Sequence, residues 1–156
     1  MNNQMDDFSI SPGTPNAFGL VGGENNAIAP GKRPLSSMSP TIVLKDGKPV
    51  MSVGAAGGPK IITQAVWAII NRLDLEMNIG AAISAPRVHH QWSPDRLLVE
   101  NTLDKETSAG LENKGHKLRR SDVVGISQAI TYDEAEKKFV GAHDPRTPGK
   151  ARGQKK

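Results

Sequence analysis

The stretch Thr41-Ile42-Val43-Leu44-Lys45-Asp46-Gly47-Lys48-Pro49-Val50-Met51-Ser52-Val53-Gly54-Ala55-Ala56-Gly57-Gly58 carries most of the information about how this chain folds. Its first five residues are rich in β-branched side chains, Asp46-Gly47 is a two-residue hairpin signal, and the strand pattern resumes from Lys48 to Val53. A hairpin brings its two ends together. The turn that enters it, Pro34-Leu35-Ser36-Ser37-Met38-Ser39-Pro40, should therefore meet the glycine loop at residues 54–58 that leaves it. The first turn offers adjacent hydroxyls between prolines, and the second offers backbone N–H groups with no side chain in the way. Pro59 suits the first position of a helix, so Gly57 and Gly58 would cap a helix N-terminus, an end that favours a carboxylate or an oxyanion.

Towards the C-terminus, Ile61, Ala65, Ile69 and Leu73 recur at i+4 with Ile62, Val66 and Ile70 beside them. That spacing predicts a deeply packed helix over 59–76, with Trp67 widening the apolar face and Gln64, Asn71 and Arg72 towards the other. A short helix over 78–85 stops at Pro86, and residues 87–92 run extended. A strand over 95–100, a helix over 104–114 capped by Asp104 and ended by Gly115, an edge strand over 116–120 and a hairpin of 125–132 with 137–142 complete the order. Strands and helices mix and hairpins dominate, which predicts an α+β fold of antiparallel sheet with covering helices.

Towards the N-terminus, residues 1–40 show almost no periodicity and are punctuated by glycine and proline. So long an irregular run suggests a functional loop region or a piece of something larger. The core is lean, since hydrophobic residues are 37% and aromatics 4% of the 156 residues. The absence of cysteine excludes disulfides and thiol chemistry. His89 and His90 invite a metal reading, but neighbours on a strand point to opposite faces and no ligand recurs at the right spacing, so local hydrogen bonds are expected instead, with no metal and no cofactor. The net charge of +4 gathers in Arg146, Lys150, Arg152, Lys155 and Lys156. Such a basic end without interleaved aromatics reads as a disordered tail over 146–156 behind a domain at 1–145, with no nucleic-acid partner and no membrane partner expected. Residues 1–7 have neither the basic nor the apolar region of an export signal.

Several segments taken together resemble one family. These are Asn2-Asn3-Gln4-Met5-Asp6-Asp7-Phe8, Gly19-Leu20-Val21-Gly22-Gly23, the run from Gly31-Lys32-Arg33 through Pro40-Thr41, Gly57-Gly58, and Ala85-Pro86-Arg87-Val88-His89-His90-Gln91-Trp92. They are similar, in order and from residue 2 to about Arg146, to the later part of the small catalytic subunit of γ-glutamyltransferases (γ-glutamyltranspeptidases). The resemblance implies part of an αββα sandwich of the N-terminal-nucleophile hydrolase type. It implies an enzyme in which a threonine at a new N-terminus attacks a γ-glutamyl amide, usually glutathione, and passes the γ-glutamyl group to water or to an amino acid or peptide. Gly57 and Gly58 match the glycines of its oxyanion hole, Ser36 and Ser37 the serines that hold the glutamyl α-carboxylate, Gln4 and Asp7 the residues that hold the α-amino group, and Met38 a pocket residue.

Where the pattern departs from the family, it does so by omission. The resemblance places the threonine nucleophile and its supporting residues before Asn2, and Thr14 and Thr41 do not match the nucleophile's motif. The expectation is a chain that supplies a pocket and an oxyanion hole, inactive alone, that needs the upstream and large-subunit portions as partners, with periplasmic or extracellular placement implied by the family. The competing expectation is a non-catalytic module that binds γ-glutamyl compounds.

Overall fold

The computed structural model describes residues 4–153, so residues 1–3 of the resemblance and 154–156 of the basic tail lie outside it. Strands β1 (Thr41–Lys45) and β2 (Lys48–Ala56) form the hairpin expected from sequence, turning on Asp46 and Gly47, both at positive φ as such a turn requires. β2 runs on through Gly54, Ala55 and Ala56, so only Gly57 and Gly58 of the glycine stretch form the loop. Because Thr41 pairs with Val53, the serine turn and this loop do emerge at one end of the sheet.

Helix α1 (Lys60–Ile69) follows, then a π turn (Ile70–Asp74), and the short α2 (Ile79–Ser84), whose N-cap Asn78 accepts from the Ala81 N–H at 2.8 Å. The chain continues through β3 (Val88–His89), β4 (Leu97–Glu100), α3 (Lys105–Asn113) with its Asp104 N-cap, β5 (Leu118–Ser121), and the hairpin of β6 (Ile126–Asp133) and β7 (Lys138–His143). The larger sheet has the order β1-β2-β6-β7 and is antiparallel throughout. The smaller has the order β3-β4-β5, with β5 on its edge as expected but parallel to β4. The result is α+β.

One face of the larger sheet makes the core. Met51, Val53 and Ala129 pack there against Ala65 and Ala68 of α1 and Ile79 and Ile83 of α2. Alternation puts Ile42, Leu44, Ile130 and Phe139 on the other face, each about half exposed or more.

Three sequence expectations need correction. Gln64 and Asn71 are buried rather than on the outer face of α1 and its π turn, because each amide finds partners inside: Gln64 between Ala56 and Ser127, and Asn71 at the Ala82 carbonyl. Ile62, Val66 and Trp67, read as part of a deeply packed stripe, are exposed, since only the Ile61, Ala65 and Ala68 side of the helix meets the sheet. Arg146, read as the first residue of a disordered tail, has a side chain only 10% exposed and is held by two carboxylates, so it belongs to the folded body.

Candidate functional site

The irregular N-terminal run is held by asparagines. Asn26 donates to the Asp7 carbonyl at 2.7 Å and accepts from the Leu35 N–H at 3.0 Å, so one amide clips the Asp7 segment to the serine turn. Asn16 donates to the Asp6 carbonyl and accepts from the N–H groups of Phe18 and Leu20, while the Asp6 carboxylate accepts from the Ala17 N–H at 3.1 Å. Asp6 therefore anchors the turn at 16–20.

These clips bring Asp7, Ser36 and Ser37 into the wall of one cleft of about 710 Å³, a size that suits a small molecule. The Ser36 Oγ accepts from the Met38 N–H at 3.3 Å, and Ser39 adopts φ 42, so the turn curls over its own backbone and presents the hydroxyls. Ser9 lines the same cleft and, though only 6% exposed, has an Oγ without a hydrogen-bond partner among the described residues. Gln4 is half-buried and Met38 about half exposed, and neither lines this cleft.

Gly57 and Gly58 are not in its wall either; Pro59, the next residue, is. The two glycines have φ of 140° and 60°, values that an L side chain rarely adopts. Their carbonyls accept from the N–H groups of Lys60 and Ile61, whereas among the described residues neither glycine N–H donates to anything. Two adjacent unengaged donors thus stand at the start of a ten-residue helix, an end whose dipole favours negative charge. A Cβ on Gly58 would lie 2.8 Å from the Phe18 ring, so the turn at 16–20 sits directly on this loop.

In the same cleft wall, His89 is buried and His90 exposed, each with a local hydrogen bond, to Gln91 and Asp95 respectively. The Gln91 amide nitrogen donates to the carbonyls of Phe18 at 2.9 Å and Ser93 at 3.1 Å, which turns its oxygen to His89 Nε2 at 3.0 Å. Nε2 must then carry the proton, and Nδ1 accepts the Thr63 hydroxyl at 2.9 Å. Burial holds this imidazole below its ordinary range, against the pull of the Gln91 hydrogen bond, so it is neutral near pH 7.

Beneath the site lies a buried ionic cluster that sequence reasoning missed. Arg87 pairs with Asp144 at 2.6 Å and also donates to the carbonyls of Gly125 and Ile83. Arg146 pairs with Glu100 and Asp144 and donates to the Ile83 and Ala85 carbonyls. The N–H groups of Val124 and Arg87 close on Glu100, and that of Ser127 closes on Asp144. Burial alone would raise both carboxyls; the backbone donors and the arginines outweigh it and hold both below the usual carboxylate range. No signal in the sequence joins residues so far apart.

A family model described as Gamma-glutamyltranspeptidase matches residues 1–154. The glutathione hydrolase proenzyme of Escherichia coli strain K12 is 49% identical over 147 residues, which cover 94% of this chain and 25% of that protein. The proenzyme of Pseudomonas sp. strain A14 is 44% identical over 155 residues, covering 94% of this chain and 27% of that protein. The chain thus spans about a quarter of the length of the curated relatives it matches. Among solved structures, a mutant of the Helicobacter pylori gamma-glutamyltranspeptidase superposes with a TM-score of 0.88 at 47% identity, over 94% of this chain and 81% of that one. The Pseudomonas nitroreducens gamma-glutamyltranspeptidase complexed with L-DON gives 0.89 at 39% identity, over 99% of this chain and 81% of that one.

Proposed function

The chain belongs to the gamma-glutamyltranspeptidase family, and from that premise we propose that it forms the substrate-holding part of an enzyme that cleaves γ-glutamyl amides such as glutathione. The γ-glutamyl group passes to water or to an amino acid or peptide acceptor. The observation that carries this reading is the convergence of Asp7, Ser36 and Ser37 on one cleft whose wall continues into Pro59, directly after two glycines with unengaged N–H groups.

In this reading the hydroxyls of Ser36 and Ser37 hold the glutamyl α-carboxylate, and the Asp7 carboxylate, with Gln4, holds the α-ammonium. Met38 contributes a pocket wall. The N–H groups of Gly57 and Gly58 receive the oxyanion that develops as the amide carbonyl becomes tetrahedral. The attacking threonine, whose own α-amine serves as base in this class of hydrolase, comes from a part of the enzyme other than residues 1–156. Thr63 is not that group, since it is internal and its hydroxyl is engaged with His89.

The test is release of a chromophore from a γ-glutamyl anilide after this chain is joined to the remainder of a relative's proenzyme. The Ser37→Ala and Asp7→Asn variants should each raise KM by about 1–3 kcal/mol in binding terms, with smaller effects on kcat, as for a hydrogen bond to a charged group. Unchanged KM in both would remove the pocket assignment. Binding of the anilide without turnover in the completed protein would instead select the non-catalytic binding module.

A further inference from the structure

A second concavity, of about 620 Å³, lies on the other side of the Phe18 turn. It shares Asn16, Ala17, Pro59, His89 and Gln91 with the cleft described above, so the two are neighbours across one wall. Its own lining is cationic. Lys60, Arg96, Arg119 and Arg120 contribute to it, no aspartate or glutamate does, and among the described residues none of the four is in an ion pair. Arg120 is steadied by a 2.9 Å bond to the buried Ser108 Oγ. Cations gathered in one concave surface repel one another unless an anion joins them, and the wall they share with the first cleft fixes where that anion belongs relative to the glycine loop.

From this juxtaposition we infer that the second pocket receives a carboxylate on the far side of the scissile amide, carried by the leaving portion of a peptide-like γ-glutamyl donor or by the acceptor that replaces it. The inference rests on the γ-glutamyl reading of the first cleft and adds to it the residues that meet this carboxylate. Lys60, Arg96 and Arg119 act as specificity-determining residues.

The experiment is a titration of the 15N-labelled chain with N-acetylglycylglycine and, separately, with N-acetylglycylglycinamide, which differs only in lacking the carboxylate. The acid should move the resonances of Lys60, Arg96 and Arg119, and the amide should leave them in place. The R96E/R119E double variant should weaken binding of the acid by about tenfold or more, and higher salt should weaken it in the wild type. If this variant melts well below the wild type, R96Q/R119Q serves in its place. Equal binding of acid and amide, or shifts elsewhere, overturns the inference, as does tight binding of a long polyanion with no response to the peptide.

The same titration with a γ-glutamyl anilide, whose leaving group is uncharged, reports on Asp7, Ser36 and Ser37, so failure of the first reading registers separately. In the completed enzyme, R96E/R119E is read on KM for glutathione and, separately, on KM for acidic acceptors. A rise in KM for glutathione then assigns the pocket to the donor, and a rise only for acidic acceptors assigns it to the acceptor. No rise for either overturns the inference.

Discussion

Asp144 shows how much one buried residue can hold. It is fully buried and accepts from Ser127 at 2.7 Å, from Arg87 at 2.6 Å, and from both the backbone and the side chain of Arg146. Asp144→Ala would leave Arg87 charged in the interior without its partner and should cost about 3–5 kcal/mol, read from chemical denaturation. Arginine keeps its proton throughout, so the pH dependence falls on the acids. The folded pKa values of Asp144 and Glu100 lie below their unfolded ones. Their contribution is therefore fully present above the ordinary carboxylate range of about 4 and is lost as pH falls through the lowered values. Melting temperature should drop steeply on acidification below about pH 4, and less steeply in Asp144→Asn, whose own baseline is lower. The cluster could not be read from sequence, because Arg87 and Asp144 are 57 residues apart and Arg146 and Glu100 are 46 apart. Asn26 was equally hidden. Its amide joins Asp7 to Leu35 across an irregular run in which no periodicity marks one polar residue over another.

The elements themselves were far more legible. The β1–β2 hairpin, the Asp104-capped helix α3 and the β6–β7 hairpin all announce themselves locally, through Asp-Gly chemistry, a capping side chain, or alternation. Helix α1 was found by its period, but which side faces the sheet was only half legible. The stripe of Ile61, Ala65 and Ala68 points inward, whereas Gln64, beside it on the same face, is buried because its amide reaches the Ala56 carbonyl at 3.2 Å and the Ser127 hydroxyl at 2.8 Å. Hydrophobicity cannot report a buried amide whose partners lie on other elements. Gly125 completes that contact. At φ 78, a Cβ there would fall 2.0 Å from Gln64 Nε2, and the amide could retreat only by giving up its bonds to Ala56 and Ser127. Gly125→Ala should thus destabilise by about 1–3 kcal/mol or more, measured by thermal melting. It should also disturb the Ala56–Gly57 junction, seen as shifts of the Gly57 and Gly58 amide resonances. An Ala at Gly141, beside the outer sheet face, should disturb neither glycine.

For the whole molecule, the larger sheet has one face packed under helices and one largely exposed, which Ala151 crosses beside Gly141. Ile42, Leu44, Ile130 and Phe139 stand outward from β1, β6 and β7, and no helix among the described residues is long and apolar enough to cross a membrane. A largely exposed apolar face fits a chain that spans about a quarter of its relatives' length and part of an αββα sandwich. Replacing Ile130 and Phe139 by threonine should therefore have opposite effects in two settings. In the isolated chain it should raise the concentration at which sedimentation still shows a monomer, with little loss of stability, because neither side chain is in the core. In the completed enzyme the same pair should lower melting temperature, because on the proposed reading the missing layer packs on that face.

On the proposed reading, that exposed face also makes the yield of completed enzyme a contest between two rates. Burial against the complementary layer is first order when both layers belong to one polypeptide, whereas face-to-face sticking of two copies grows with the square of their concentration. Cutting the chain free of its other half removes the unimolecular route and leaves two bimolecular ones competing for the same surface. Refolding the separated pieces should then favour active product when the complementary piece is in excess and this one is dilute, and the order of mixing should matter as much as the final composition.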